Sequence, residues 1–211
     1  VCADFEADPA CTHEAALVSD NLENGDTFGS SVAIDGDIVV VGAQGEKSDS
    51  TGVNSTPNDP DTDSRGAAYV FERSGTTWSQ TAYLKADTAN VNRFGSDVSV
   101  SGNTVLVAQE QSDNRKMYVF FKDNDTWTPQ GTLDQPAGSI AGSLNFVAVG
   151  LDGDTAAAHW GDGASSVDVY TRDGSTWTFQ ATLTATDGEA ADNFGVAIAV
   201  SGDTVVVGAF A

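Results

Sequence analysis

A phrase of about fifty residues recurs along the chain, and it limits the fold more than any other feature, because each copy must build one supersecondary unit. The copies open on Phe28-Gly29-Ser30-Ser31-Val32-Ala33-Ile34, Phe94-Gly95-Ser96-Asp97-Val98-Ser99-Val100 and Phe194-Gly195-Val196-Ala197-Ile198-Ala199-Val200. Each opening runs into a tight turn, Asp35-Gly36-Asp37, Ser101-Gly102-Asn103 or Ser201-Gly202-Asp203. A β-branched run such as Ile38-Val39-Val40-Val41 or Thr204-Val205-Val206-Val207 comes next. A degenerate copy spans Val147 to Ala158 around Asp152-Gly153-Asp154. A third strand follows (Ala67 to Phe71, Met117 to Phe121, Val167 to Tyr170), then a polar turn and a fourth strand led by Trp78, Trp127 or Trp177. Four short strands per unit, with turn signals between them and no helical period, predict an all-β propeller.

The last copy holds two strands and stops at Ala211, and residues 1–24 lie on the missing half without a gap, Leu17 aligning with Leu84, Leu133 and Leu183. The expected organisation is one domain: a leading half blade 1–24, a blade 25–91 with an insertion at 44–65, a blade 92–141, a degenerate blade 142–190 and a trailing half blade 191–211. Three whole blades and two complementary halves make four in total. A half blade exposes unpaired N–H and C=O groups, so something must cover its edge. Closure within one molecule, head-to-tail pairing between molecules and continuation into further blades of a longer propeller all satisfy it. Intramolecular closure has the advantage of effective concentration. The small residues Ser30, Ser31, Ala33, Ser96, Ser99, Ala197 and Ala199 suit a narrow ring axis.

Acidic residues number 31 against 9 basic ones, a formal charge of −22. That balance excludes nucleic acid as an expected partner. Aspartate suits hairpin turns, and high like charge also fits a saline habitat or cation binding. No run approaches the ~18 apolar residues of a membrane helix, so no membrane insertion is expected. The N-terminus carries no charged-then-apolar leader, and a secreted chain is expected to have been processed before Val1. Cys2 and Cys11 are the only cysteines. A disulfide between them would staple the one half blade without a tryptophan, contributing about 2–3 kcal/mol on the entropic model; two free thiols are the alternative. Asn54-Ser55-Thr56 and Asn124-Asp125-Thr126 are N-glycosylation acceptor patterns, the first weakened by Pro57.

The repeats resemble the FG-GAP family, the blade units of integrin α-subunit heads and of many bacterial and archaeal surface proteins. The Phe-Gly openings carry the resemblance, together with the closings Gly42-Ala43-Gln44, Val107-Ala108-Gln109 and Gly208-Ala209-Phe210. It covers nearly the whole chain, most strongly residues 25–134 and 163–211. It implies a β-propeller, an extracellular or cell-surface location, and binding or adhesion rather than catalysis. Integrin-type members hold calcium in a long Asp-rich loop between the first two strands. Here those connections are short Gly-Asp or Gly-Asn turns with too few oxygens for a calcium ion, so that site is not carried over.

The candidate metal loop is instead the insertion from Gln44 to Arg65, where Asp59, Asp61 and Asp63 alternate and suit a hard cation such as Ca2+. Its Ser, Thr, Asn and Pro content equally suits a solvated, unstructured loop. His13 and His159 are the only histidines, and neither has a spaced nucleophile and orienting acid beside it. His159 reads as a structural histidine, and no His/Cys cluster suggests zinc. The periodic tryptophans read as packing anchors, although exposed repeated aromatics also bind sugars. The expected function is therefore that of a secreted, non-enzymatic structural or adhesive protein that assembles head to tail with itself. The alternative is a closed propeller that binds an extracellular protein or carbohydrate ligand.

Overall fold

Alternation of small and β-branched residues, closed by glycine turns, favours antiparallel hairpins that are buried on both faces. The computed structural model describes residues 13–58, 63–88, 91–110, 115–136, 147–161, 166–187 and 192–210, and it is all-β. The first sheet joins β1 (Phe28–Asp35), β2 (Ile38–Ala43), β3 (Ala67–Ser74) and β4 (Thr77–Leu84) in sequence order. The second joins β5 (Phe94–Ser101), β6 (Thr104–Gln109), β7 (Lys116–Asp123) and β8 (Thr126–Leu133). The third joins β9 (Ala148–Asp152), β10 (Thr155–His159), β11 (Ser166–Asp173) and β12 (Thr176–Thr184). The hairpin β13 (Ala197–Ser201) and β14 (Thr204–Gly208) completes the set. These meanders have the form of propeller blades.

The four opening hairpins share one register, pairing Asp35 with Ile38, Ser101 with Thr104, Asp152 with Thr155 and Ser201 with Thr204. Gly102, at φ 52°, shows why the turn begins with glycine: the first central residue of such a two-residue turn is left-handed. The Phe-Gly openings are also structural. The ladder slips between Phe28 and Ser31 and between Phe94 and Asp97, so each opening is a β-bulge. The phenylalanine then turns back onto the third strand of its own sheet. Phe94 meets Tyr118 and Phe120 edge-on at 5.2 and 6.1 Å, and Phe28 meets Tyr69 and Phe71 at 5.5 and 6.2 Å.

The sheets stack face on face. One core cluster joins Val40, Val70, Ala82 and Leu84 of the first sheet to Val98, Val100, Val105 and Tyr118 of the second. Another joins Leu106, Met117 and Val119 of the second to Val149, Leu151, Ala156 and Tyr170 of the third. Residues of β1, β5, β9 and the start of the last hairpin line one channel of about 550 Å³, with Ala33, Ser96, Ser99 and Ala197 on its wall. The described part of the leading segment departs from the expected half blade. Residues 13–27 form no strand; they cross the outward face of the first sheet, where Leu17 packs on the cluster of Val39, Val41, Tyr69 and Phe71.

Candidate binding surfaces

The contact between successive sheets repeats, and its chemistry begins with the Phe-Gly and Gly-Ala words. A methyl group added to Gly42 would stand 2.2 Å from the Gly95 carbonyl oxygen, and one on Gly95 would stand 2.1 Å from the Ala67 carbonyl oxygen. Two backbones therefore touch where only hydrogens fit between them. Where the third sheet meets the last hairpin, His159 occupies the place of Gly42, and a methyl on Gly195 would lie 2.5 Å from its Nδ1. His159 is fully buried, with Nδ1 2.8 Å from the Ser166 carbonyl oxygen; it is a packing residue, as its sequence context suggested.

A second repeated contact runs around the axis. Gly102 N–H donates to Asp35 Oδ2 (2.6 Å), Gly153 N–H to Ser101 Oγ (2.9 Å) and Gly202 N–H to Asp152 Oδ2 (2.7 Å). Each turn thus hands one N–H to the side chain ahead of it. Asp97 adds a tie across three sheets, accepting from Ser31 Oγ at 2.7 Å and from Val149 N–H at 2.8 Å. Burial lifts its carboxyl above the usual range, against the pull of the bonds from Ser31, Val149 and Val98.

A third contact uses the tryptophans. Trp127 Nε1–H donates to Glu72 Oε1 of the preceding sheet at 3.0 Å, and Trp177 Nε1–H to Gln130 Oε1 at 3.3 Å. For the first sheet the leading segment supplies the acceptor: Trp78 Nε1–H donates to Glu14 Oε1 at 3.0 Å. Packing and hydrogen bonding, rather than display, explain the tryptophan period. Lys122 Nζ reaches Glu72 Oε2 at 2.6 Å. Burial pulls the Glu72 carboxyl up, but the bonds from Lys122, Trp127 and Thr81 together hold it below its ordinary value.

At the two ends of the stack the same surfaces lie open. Val98 and Val100 are buried under the first sheet, whereas their counterparts Val32 and Ile34 are 60% and 65% exposed. Val40 and Leu106 are buried, whereas their counterpart Val206 is 63% exposed. A methyl on Gly29 would meet nothing within 4 Å, unlike one on Gly95. One on Gly208 would meet Ala197 Cβ at 3.4 Å, an ordinary contact, unlike one on Gly42. Among the described residues the axial series also stops, with Gly36 N–H at one end and Ser201 Oγ at the other.

The insertion between β2 and β3 is tied down over its described residues. Val53 pairs with Leu84 as an added rung, Gly52 N–H donates to the Ala86 carbonyl at 2.9 Å and Asn54 N–H to the Tyr83 carbonyl at 2.8 Å. This rung covers the edge of β4. Beneath it Glu46 and Lys85, both buried, form an ion pair of 2.6 Å. Tyr83 Oη–H donates to Glu46 Oε1 at 2.8 Å and Lys85 Nζ to the Ser48 carbonyl at 2.6 Å, so the buried charges have their hydrogen bonds satisfied. Burial, reinforced by the Glu46 carboxylate, pushes the Tyr83 hydroxyl far above the usual tyrosine range. Neither the ion pair nor the rung carries a periodic sequence signal.

Of the site residues singled out from sequence, the structure describes Asn54, Asp63 and Asn124. Asp59 and Asp61 lie outside the described residues, as do Cys2 and Cys11. Asp63 Oδ2 lies 3.4 Å from Arg65. Among the described residues no group of three His, Cys, Asp or Glu side chains could hold a metal ion. Asn124 and Asp125 form an exposed turn, both at positive φ, which leaves the Asn124 acceptor pattern accessible. Asn54 is exposed, but its Oδ1 accepts the Tyr83 N–H at 2.8 Å. No helix among the described residues is long and apolar enough to cross a membrane.

Comparison with known proteins agrees with the motif. A family model described as FG-GAP repeat matches residues 11–71, 78–120 and 177–211. No curated protein matches the chain. Among solved structures, Sqt1 of Saccharomyces cerevisiae is similar at 10% identity and a TM-score of 0.47, over 78% of this chain and 37% of that one. A mutant of the Aleuria aurantia lectin AAL, in complex with Fucalpha1-6GlcNAc, is similar at 15% identity and a TM-score of 0.46, over 81% and 48%. The chain thus spans less than half the length of either structure.

Proposed function

This chain belongs to the FG-GAP repeat family, and from that premise we propose that it is a secreted, non-enzymatic structural module that joins other copies of itself head to tail. One observation carries the reading: the two exposed end faces are the two halves of a contact already made twice inside the molecule. The face of Val32 and Ile34 matches the one that Val98 and Val100 bury against the first sheet. The face of Val206 matches the one that Val40 and Leu106 bury against the sheets that follow them. Seating one on the other would cover both apolar faces, each worth about 25 cal/mol per Å2 removed from water. It would also bring Ser201 Oγ to Gly36 N–H and continue the axial series.

Such a contact is heterologous and generates a ring or an open filament. The leading segment has its own place in it. Glu14 and Leu17 already cover the outer half of the first sheet's open face, so the two-stranded β13–β14 hairpin needs to cover only the inner half. The FG-GAP pattern supports an extracellular setting.

The test is Gly208→Ala beside Val206→Asp. The added methyl has room within the chain but would strike the Gly29 backbone of a neighbour, as a Gly42 methyl would strike Gly95. Both variants are expected to fold with unchanged melting and to lose association in sedimentation. Association that survives both substitutions would overturn the reading.

A further inference from the structure

The groove between the outer strands of the second and third sheets is the place where the repeat is broken. Between the first and second sheets, Ala82 faces across to Trp127, which is only 3% exposed, and the junction is closed. At the next junction the matching residues are Gly131, which offers no side chain, and Trp177, which is half-buried. A methyl on Gly131 would meet nothing within 4 Å. A cavity of about 490 Å³ opens there, within the usual size range of small-molecule sites.

Its walls differ in kind. On one side stand three aromatic rings, Tyr170, Trp177 and Phe179. Phe179 replaces Pro129 and Gln80 of the sister strands and is 47% exposed, its ring edge-on to Tyr170 at 6.0 Å. Facing them are Thr132, Asp134 and Gln135. The frame is fixed before any ligand arrives. Tyr170 Oη–H donates to the Asp134 carbonyl at 2.7 Å, Trp177 Nε1–H to Gln130, and the Arg172 guanidinium lies 5.2 Å from the Trp177 ring centre. Among the described residues no hydrogen bond engages the side chains of Thr132, Asp134 or Gln135.

We propose that this groove binds a neutral carbohydrate. An aromatic wall takes the apolar C–H face of a pyranose ring, while the free carboxylate of Asp134 and amide of Gln135 opposite take its hydroxyls. A purely apolar ligand would bury those two polar groups without partners, which is unfavourable. An anionic ligand would face both Asp134 and the field of a chain with net charge −22. The site is independent of head-to-tail assembly, since it lies between sheets two and three rather than at either end of the stack.

The experiment is an array of glucose-, mannose-, galactose- and fucose-terminated neutral oligosaccharides, with sulfated and sialylated ones beside them. Tryptophan-fluorescence titration with the strongest neutral binder follows. Neutral glycans are expected to bind, and Phe179→Ala is expected to weaken binding about tenfold, the loss of one aromatic stacking contact. Asp134→Asn should weaken it too. Phe179 is exposed, so its variant should melt with the wild type, and a folding defect would show in that control. Failure of every neutral glycan to bind, binding of the anionic ones alone, or full affinity in Phe179→Ala would overturn the assignment.

Discussion

Gly42→Ala asks whether the family motif is a packing device. Gly42 lies in regular pairing with Ser31 and Ala68 and is not left-handed, so alanine brings no backbone strain at that position. The whole effect comes from one methyl group, placed 2.2 Å from the Gly95 oxygen and 3.2 Å from its carbonyl carbon. Relief requires the facing backbones to part by about 1 Å, given ordinary carbon–oxygen contact distances. Gly95 is packed equally closely on Ala67 of the same first sheet, so the parting must open the seam between the two sheets rather than move one atom. Overpacking of this kind costs about 1–3 kcal/mol, and with both partners in backbone we expect about 2 kcal/mol. For a chain of this size that lowers Tm by about 4–8 °C. Gly208→Ala is the matched control, since it adds the same methyl at the same repeat position with ordinary contacts. In dilute protein it should melt within about 1 °C of wild type, its effect being that of an unstrained surface change. Scanning calorimetry or urea titration reads both. Equal melting of Gly42→Ala and wild type would refute the steric account of the Phe-Gly and Gly-Ala words.

Three other outcomes follow. Glu72 is held below its ordinary pKa, so its contribution is present above the unfolded carboxylate value and lost as pH falls through the folded one; Glu72→Gln should therefore flatten the acid limb of a stability–pH curve, and an unchanged limb would contradict that. Calcium at Asp59, Asp61 and Asp63 is expected to raise Tm, and Asp61→Asn to abolish the rise; identical melting in calcium and in chelator would remove the ion from the account. A Cys2–Cys11 disulfide predicts no free thiol when the non-reduced protein is unfolded and titrated with a thiol reagent, whereas two thiols per chain would exclude it.

Periodic chemistry made the sheets legible. The glycine turns fixed β1–β2, β5–β6, β9–β10 and β13–β14, and the tryptophans stand one residue inside β4, β8 and β12. Even the degenerate copy forms regular strands, because Ala156, Ala157 and Ala158 keep the pairing and only the side-chain volume changes. What stayed hidden depends on residues far apart with no period between them. Glu14 meets Trp78 across 64 residues, and Glu46 meets Lys85 across 39. The leading segment aligned with a strand pair by spacing alone, but its residues 13–27 lack the β-branched alternation of the other copies and lie as an irregular strap. The insertion's polar composition gave no hint of the rung at Val53, since backbone pairing there relies on Gly52 and Asn54 rather than on a hydrophobic pattern. The groove follows from a departure from the repeat, Gly131 and Phe179, which an eye set on the common pattern passes over.

The most direct test of head-to-tail joining is the mass of the purified, non-reduced protein by light scattering across a wide concentration range. Mass is expected to grow with concentration through the contact of Val206 with Val32 and Ile34, and Val206→Asp is expected to stay monomeric. A wild-type mass fixed at one chain at every concentration would contradict it.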